Sequence, residues 1–142
     1  GIGLSFIQNG RIVRKIRKIL KDKSLVSKIE NLYGLNNADE ITRNSDLIMI
    51  DRGDLLAEVG EGNLYKAICK ISEQAYIFQK PLIMATENLD SMQKKFQPSK
   101  SEIIALEHSI DLGSDIIMLS DETATSPLFM NTLVWLYNFL KE

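Results

Sequence analysis

The sequence predicts an α/β fold, in which five parallel strands are each followed by a helix. Apolar residues alternate along the chain between short runs of strand length and stripes with helical spacing. Several of the short runs are apolar at every position, as is typical of sheet strands covered by helices. Polar and charged residues follow four of the five runs. Because repeated strand–helix units form right-handed crossovers, the strands should be parallel.

The five strands are predicted at short segments rich in apolar residues, namely 2–7, 25–29, 47–50, 81–85 and 116–119. The helices between them follow from apolar residues three or four positions apart, with stripes that begin at Ile12, Leu64, Ile103 and Leu128. A shorter helix is expected near residues 38–43. Each predicted strand therefore has a helix to carry the chain back across the sheet.

Helix boundaries are indicated by capping residues. Predicted helix starts are Asn9 or Gly10, Ser99 or Ser101, and Ser126 with Pro127 in the first turn. The pairs Lys80-Pro81 and Leu112-Gly113 are expected to stop the helices before them. These signals place the loops after the strands, where ligand sites lie in folds of this kind.

Length and composition exclude several classes of protein. The 142 residues suit one domain, 1–142, and 44% apolar with 25% charged residues excludes a disordered chain. A net charge of −2 does not favour nucleic acid or an anionic membrane as partner, and no apolar run approaches the roughly 20 residues of a membrane span. A single cysteine excludes an internal disulfide, so a reduced, cytoplasmic domain is expected. The first residue, Gly1, is not methionine, which suggests a processed or excised piece.

Lys28, Glu30 and Asp54 are the candidate metal and catalytic residues. Lys28 and Glu30 lie two apart at the end of the second strand, so their side chains leave the same face. One interpretation is a local ion pair on a solvated strand end. The other pairs Glu30 with Asp54 from the next strand as ligands of Mg²⁺, with Lys28 beside the metal to neutralise a phosphate.

Three further residues follow the strands. Gly53, between Arg52 and Asp54, lets backbone approach a ligand or simply makes a tight turn. Thr86 and Ser120 carry hydroxyls that either cap helices or donate to a carboxylate or phosphate.

Other residues with chemical potential are interpreted structurally. Cys69 lies in an apolar helix stripe and is expected to pack, and His108 is expected to be an ordinary helix residue. The basic residues between Arg11 and Lys23 are expected to form a solvated helix face.

These motifs resemble the pyruvate kinase family, in the right order and at plausible spacings along essentially the whole chain. The matching segments are Ser27-Lys-Ile-Glu-Asn31, Asp46-Leu-Ile-Met-Ile-Asp-Arg-Gly-Asp-Leu55, Lys80-Pro-Leu-Ile-Met-Ala-Thr86 and Asp115-Ile-Ile-Met-Leu-Ser120. The resemblance implies strands four to eight of a (βα)₈ TIM barrel, without the family's lid and regulatory domains.

The resemblance also implies an activity, namely metal-dependent phosphoryl transfer between phosphoenolpyruvate and ADP that gives pyruvate and ATP. Glu30 and Asp54 would then hold Mg²⁺ or Mn²⁺, and Lys28 would stabilise charge on the transferring phosphoryl group. Arg52, Gly53, Asp54 and Thr86, with Ser120 nearby, would bind phosphoenolpyruvate or pyruvate. The strands that bind ADP or ATP phosphates and K⁺ in the family are outside this chain.

The chain departs from the family's pattern at several positions. Asp51 replaces a small residue before Arg-Gly-Asp, Glu87 replaces the usual glutamine, and Asp121 replaces a glycine. Extra carboxylates weaken an anion site unless a metal compensates them. Two alternatives therefore stay open: a non-catalytic relative that binds metal and a keto acid, and another metal-dependent enolate enzyme such as a lyase or aldolase.

The length predicts an incomplete barrel. A (βα)₈ barrel needs about 250 residues, so five units would leave two sheet edges uncovered. The missing strands are expected from a longer parent chain, a separate subunit or a second copy of this chain. Rearrangement into an open α/β layer is the remaining alternative.

Overall fold

The computed structural model describes residues 1–141 and contains one parallel sheet with five strands. The strands are β1 (Ile2–Leu4), β2 (Leu25–Lys28), β3 (Leu47–Asp51), β4 (Leu82–Ala85) and β5 (Ile116–Ile117). They lie side by side in sequence order, and each pairs with the next in parallel. The predicted α/β fold is confirmed, and the open five-stranded sheet is consistent with part of a barrel.

Eight α-helices connect or follow the strands within the described residues. They are α1 (Gly10–Ile19), α2 (Leu32–Asn36), α3 (Ala38–Asn44), α4 (Arg52–Val59), α5 (Glu61–Ile77), α6 (Lys100–Asp111), α7 (Asp121–Ala124) and α8 (Phe129–Phe139). A 3₁₀ turn at Asp90–Gln93 lies between β4 and α6. None of the helices within residues 1–141 has the length and apolar character to cross a membrane.

Two strands, β1 and β5, are shorter than their predicted segments by two residues or more. β1 ends at Leu4 because the chain turns at Phe6, whose φ of 50° is left-handed. The two-residue β5 lies at the sheet edge, although the Met118 N–H still donates to Met84 O at 3.0 Å. An apolar run therefore locates a strand, whereas backbone turns and pairing with the neighbouring strand set where it ends.

The helix starts agree with the sequence in two of three cases. Asn9 caps α1 through the Ile12 N–H, and Ser99 caps α6 in a reciprocal capping box with Glu102. The third prediction was wrong, because α8 begins at Phe129 after Leu128. Ser126 instead accepts the Leu128 N–H at 3.1 Å in the turn before the helix.

The core lies between the sheet and the helices on one of its faces. Alternate residues of β2 and β3 are fully buried there, namely Leu25, Ser27, Ile48 and Ile50. The residues between them, which include Lys28 and Asp51, lie on the opposite, partly exposed face. This pleat places charged side chains of neighbouring strands on one surface.

A second, smaller cluster covers the end of the chain. It consists of Leu89, Met92, Leu106 and Leu136, with Trp135 and Phe139 packed against it. The cluster joins the loop after β4 to α6 and α8, and the loop positions Thr86 next to the site described below.

Candidate functional site

Lys28 is the centre of the charged cluster at the carboxyl ends of the strands. Its Nζ lies 2.5 Å from Glu30 Oε1 and 3.4 Å from Asp51 Oδ2. Burial lowers the pKa of Lys28, but hydrogen bonds and negative charge from Glu30 and Asp51 outweigh it, so the pKa is raised. Lys28 is therefore positively charged at neutral pH.

Glu30 is completely buried, which is unusual for a carboxylate. Its Oε2 accepts the Phe6 N–H at 2.6 Å, a contact made by the left-handed turn after β1. Its Oε1 is paired with the Lys28 ammonium at 2.5 Å and accepts no other hydrogen bond from the described residues. The turn at Phe6 therefore fixes Glu30, and one of its oxygens retains an open lone pair.

Asp54 and Asp51 complete a group of three carboxylates with Glu30. One oxygen from each of the three residues lies within 4.8 Å of the others. Asp51 is the last residue of β3 and caps α4, whereas Asp54 is exposed in the first turn of that helix. Oxygen ligands at this spacing suit a divalent cation such as Mg²⁺ or Mn²⁺.

Gly53 does not form the tight turn that is one interpretation of its sequence. It lies in the first turn of α4, where its N–H donates to Thr86 Oγ1 at 3.3 Å. The neighbouring Asp54 N–H donates to Asp51 Oδ1 at 3.5 Å. Both hydrogen bonds are long, so the N-terminus of α4 retains donors suited to an anion.

Thr86 follows β4 and has a φ of 62°, which is rare for a β-branched residue. Its hydroxyl donates to Ala85 O at 2.7 Å. The strained backbone turns Thr86 towards α4 instead of along the strand direction.

Arg52 holds this loop through its side chain. The guanidinium donates to Ala85 O at 3.3 Å, to Asn88 Oδ1 at 2.7 Å and to the Thr86 carbonyl oxygen. Burial lowers the pKa of Arg52 against the opposing charges of Glu87, Asp90 and Asp51. The guanidinium therefore faces the loop after β4, and the structure shows no contact between it and the three carboxylates.

Ser120 is bonded to a different polar group. It caps the short α7 through the Thr123 N–H, and its hydroxyl donates to Asp90 Oδ1 at 3.0 Å. Neighbouring strand ends are brought together by five of the predicted residues, namely Lys28, Glu30, Gly53, Asp54 and Thr86. Ser120 instead hydrogen-bonds to Asp90 in the 3₁₀ turn.

Two contributors were not selected from the sequence. In the sequence, Asp51 is only a departure from the family's pattern, yet the alternation of β3 predicts that it shares a face of the sheet with Lys28. The Phe6 N–H was not identifiable, because a backbone donor in a turn leaves no signal in residue type.

The residues interpreted structurally have ordinary surroundings. Cys69 is half-buried in α5, and His108 of α6 stacks on Tyr65 with 5.4 Å between ring centroids. On α1, Arg14 pairs with Glu40 at 2.9 Å, and its neighbours are largely exposed.

The fold and the charged cluster define the class of protein. A parallel sheet with ligand-type residues at the carboxyl ends of its strands has the arrangement of α/β barrel domains. The family model described as "Pyruvate kinase, barrel domain" matches residues 2–132. The chain therefore belongs to the pyruvate kinase family.

Individual relatives agree with this assignment. The chain is 41% identical over 128 residues to a pyruvate kinase from Dictyostelium discoideum, which covers 87% of this chain and 25% of that protein. A pyruvate kinase from Eimeria tenella is 39% identical over 127 residues, or 87% of this chain and 24% of the relative. The chain thus spans about a quarter of the length of these relatives.

A solved structure shows the same fold. The crystal structure of Cryptosporidium parvum pyruvate kinase superimposes with a TM-score of 0.89 at 33% identity. The match covers 97% of this chain and 31% of that one. Nearly all of the present chain therefore corresponds to a contiguous part of a larger fold.

Proposed function

We propose that this chain supplies the metal- and enolate-binding part of a pyruvate kinase active site. The reaction is phosphoryl transfer between phosphoenolpyruvate and ADP, which gives pyruvate and ATP. The observation that carries the proposal is the convergence of Lys28, Glu30 and Asp54 at neighbouring strand ends, in a chain of this family.

Glu30 and Asp54 are the proposed ligands of Mg²⁺ or Mn²⁺. The fit rests on Glu30, a fully buried carboxylate with one oxygen that lacks a well-aligned donor, and on the exposed Asp54 within ligand spacing. When bound, the divalent ion stabilises negative charge on the enolate and phosphoryl oxygens. The chain's own contribution is to hold the carboxylates at a fixed spacing on two neighbouring strand ends.

Lys28 is the proposed catalytic residue. As the phosphorus–oxygen bond to the enolate oxygen breaks and a bond to an ADP oxygen forms, negative charge spreads over the phosphoryl oxygens. The charged ammonium of Lys28 is held against two carboxylates and is suited to stabilise that charge.

The N-terminus of α4 is the proposed seat of the substrate carboxylate. The Gly53 and Asp54 N–H groups donate only long hydrogen bonds, and Thr86 supplies a hydroxyl beside them. A carboxylate there would replace these long contacts with shorter, charge-assisted ones. Arg52 positions Thr86, and Ser120 is proposed to act at the margin of the same site.

The remaining parts of the active site would come from elsewhere. ADP or ATP phosphates and K⁺ are proposed to bind residues outside this chain, in a larger polypeptide or a partner copy. Residues 1–142 would then form one partial barrel domain, and a cytoplasmic location fits a glycolytic enzyme of this family.

A non-catalytic role in metal and keto-acid binding is the second candidate. It is favoured by Asp51, whose carboxylate pairs with the proposed catalytic Lys28. This candidate predicts binding of metal and ligand without ADP-dependent turnover.

Titration with Mn²⁺, with and without oxalate as a mimic of the enolate, tests the binding site. Oxalate should tighten Mn²⁺ binding, because it would bridge the metal and the N-terminus of α4. Light scattering in parallel gives the mass of the binding species. A folded protein that binds no Mn²⁺ would disprove the proposed site.

Lys28→Met separates the two candidates. In the protein that contains this chain, the variant should retain Mn²⁺ binding and lose ATP formation, because the ammonium acts on the phosphoryl group. Lys15→Met, which changes an exposed lysine on α1, is the matched control. Unchanged ATP formation by Lys28→Met would exclude the role given to Lys28. If the unmodified protein binds Mn²⁺ but forms no ATP, the non-catalytic candidate is favoured.

A further inference from the structure

Asp51 contacts two groups that the proposed function assigns to the anionic ligand. Its Oδ2 lies 3.4 Å from Lys28 Nζ, and its Oδ1 accepts the Asp54 N–H at 3.5 Å. The side chain is 14% exposed, so it lies within the site and not on the outer surface. One carboxylate therefore spans the ammonium and the helix terminus, as a bound carboxylate ligand would.

Asp51 also changes the charge of the site. Three carboxylates and the Lys28 ammonium give the cluster a net charge of −2, which a divalent ion neutralises. Without Asp51, the same cluster would carry −1 alone and +1 with the ion. Arg52 lies outside this cluster: its guanidinium is hydrogen-bonded to the loop after β4, and Asp51 acts on it only through charge.

The contacts of Asp51 and its negative charge both favour a bound cation over a bound anion. Each additional carboxylate within ligand spacing favours a divalent cation. A carboxylate that already occupies anion-binding donors must be displaced, or tolerated as a like charge, when an anion binds. The exposed Glu87, beside Thr86, adds a further negative charge near the same loop.

We propose that Asp51 sets the ligand preference of this site, because it strengthens binding of the divalent cation and weakens binding of the anionic ligand. The inference rests on the proposed function, since it concerns the same metal and the same anion seat. Asp51 is a specificity-determining residue in this scheme, and it takes part in no bond-making step.

The test measures the two affinities separately in Asp51→Asn and Asp51→Ala. Mn²⁺ binding is followed by electron paramagnetic resonance, and oxalate binding is then measured at saturating Mn²⁺ for each protein. Mn²⁺ affinity should fall about tenfold or more. Oxalate affinity should rise several-fold, because both variants remove the negative charge beside Lys28 and Asp51→Ala also releases the Asp54 N–H.

Glu58→Gln is the matched control. Glu58 lies on α4, the helix that Asp51 caps, and is exposed. Among residues 1–141, its carboxylate accepts only the Leu32 N–H, at 3.4 Å. Loss of this charge should leave both affinities unchanged. Circular dichroism establishes that each variant is folded.

The outcomes distinguish this inference from the proposed function. Opposite changes in Mn²⁺ and oxalate affinity in either folded Asp51 variant support it. Oxalate affinity that stays the same or falls would overturn it, while the proposed site would survive. Absence of Mn²⁺ binding by the unmodified protein would disprove the proposed function and this inference together.

Discussion

The segment up to β4 and the segment after it are stabilised in different ways. The first contains a continuous core, in which residues such as Ile41, Ile50 and Ile71 are fully buried between sheet and helices. The second has only four buried apolar side chains in its own cluster and a two-residue edge strand. Its loops are instead held by side-chain hydrogen bonds.

The bonds of the second segment converge on a few polar residues. Glu102 accepts four hydrogen bonds from Ser91 and Ser99, and Asp90 accepts bonds from Ser120 and Thr123. Apolar burial therefore supports the strands that carry the proposed metal ligands. The loop region depends more strongly on charge and therefore on pH.

Core truncation should produce the largest effect and the clearest contrast. Ile50→Ala should lower the free energy of unfolding by an amount near the top of the range of about 2–5 kcal/mol, because it leaves a cavity under β3. Leu136→Ala should cost the lower part of that range, since its smaller cluster relaxes more easily. Urea denaturation measures both, and equal losses would contradict the comparison.

Arg52 connects the two segments, so its removal should have the next largest effect. Arg52→Met should cost about 1.5–3 kcal/mol, because three hydrogen bonds of a charged donor to the loop after β4 are lost. Oxalate affinity should fall as Thr86 loses its support. Arg11→Met, at an exposed position of α1, should leave unfolding and oxalate binding unaltered.

Glu102→Gln should destabilise the second segment by about 1–3 kcal/mol near neutral pH. An amide can replace the oxygen that accepts the Ser91 N–H, but its NH₂ group cannot accept from Ser99 N–H at 2.7 Å. Urea denaturation at pH 7 measures the loss. A variant as stable as the unmodified protein would show that the capping box adds nothing.

The same variant predicts a pH dependence with a definite sign. Burial raises the pKa of Glu102, but the hydrogen bonds from Ser91 and Ser99 lower it to about 2, below the ordinary 4.5. A depressed pKa in the folded state stabilises the protein above pH 4.5, and the stabilisation is lost as the pH falls towards 2. The difference between Glu102→Gln and the unmodified protein should therefore shrink over that interval, and a constant difference would contradict this.

Cys69→Ala should have the smallest effect, below about 1 kcal/mol. The thiol is only half-buried in α5, where it packs as a small apolar side chain would. Thermal unfolding measures the change. A loss above 2 kcal/mol would show that Cys69 has a structural role that its position does not indicate.

The sequence predicted the order and direction of the strands, because apolar period and strand length are local properties. It also limited two caps to Asn9 or Gly10 and to Ser99 or Ser101, of which Asn9 and Ser99 form the caps through bonds within three residues. It did not predict the turn at Phe6, or the helix α4 that begins at Arg52 directly after β3. Those features depend on contacts with Glu30 and Thr86 from other strands.

The candidate site was predictable in its residue types and only partly in its geometry. Lys28, Glu30 and Asp54 stand out as charges after apolar strands, so their place at one sheet end followed from topology. The pairing of Lys28 with Asp51 depends on the register between β2 and β3, which aligns Lys28 with Met49. No single stretch of sequence contains that alignment.

The sequential strand order has a consequence for how the chain folds. Each strand after β1 pairs with the strand that precedes it in the chain, so each new strand–helix unit can add to a strand that is already present. The loop that each pairing closes is short, so its cost in conformational entropy is modest. During synthesis, the sheet can therefore grow by accretion from β1 towards β5, in step with the emerging chain. The half of the molecule that carries the proposed metal ligands would assemble first, and the polar loops after β4 would close over a surface that is already ordered.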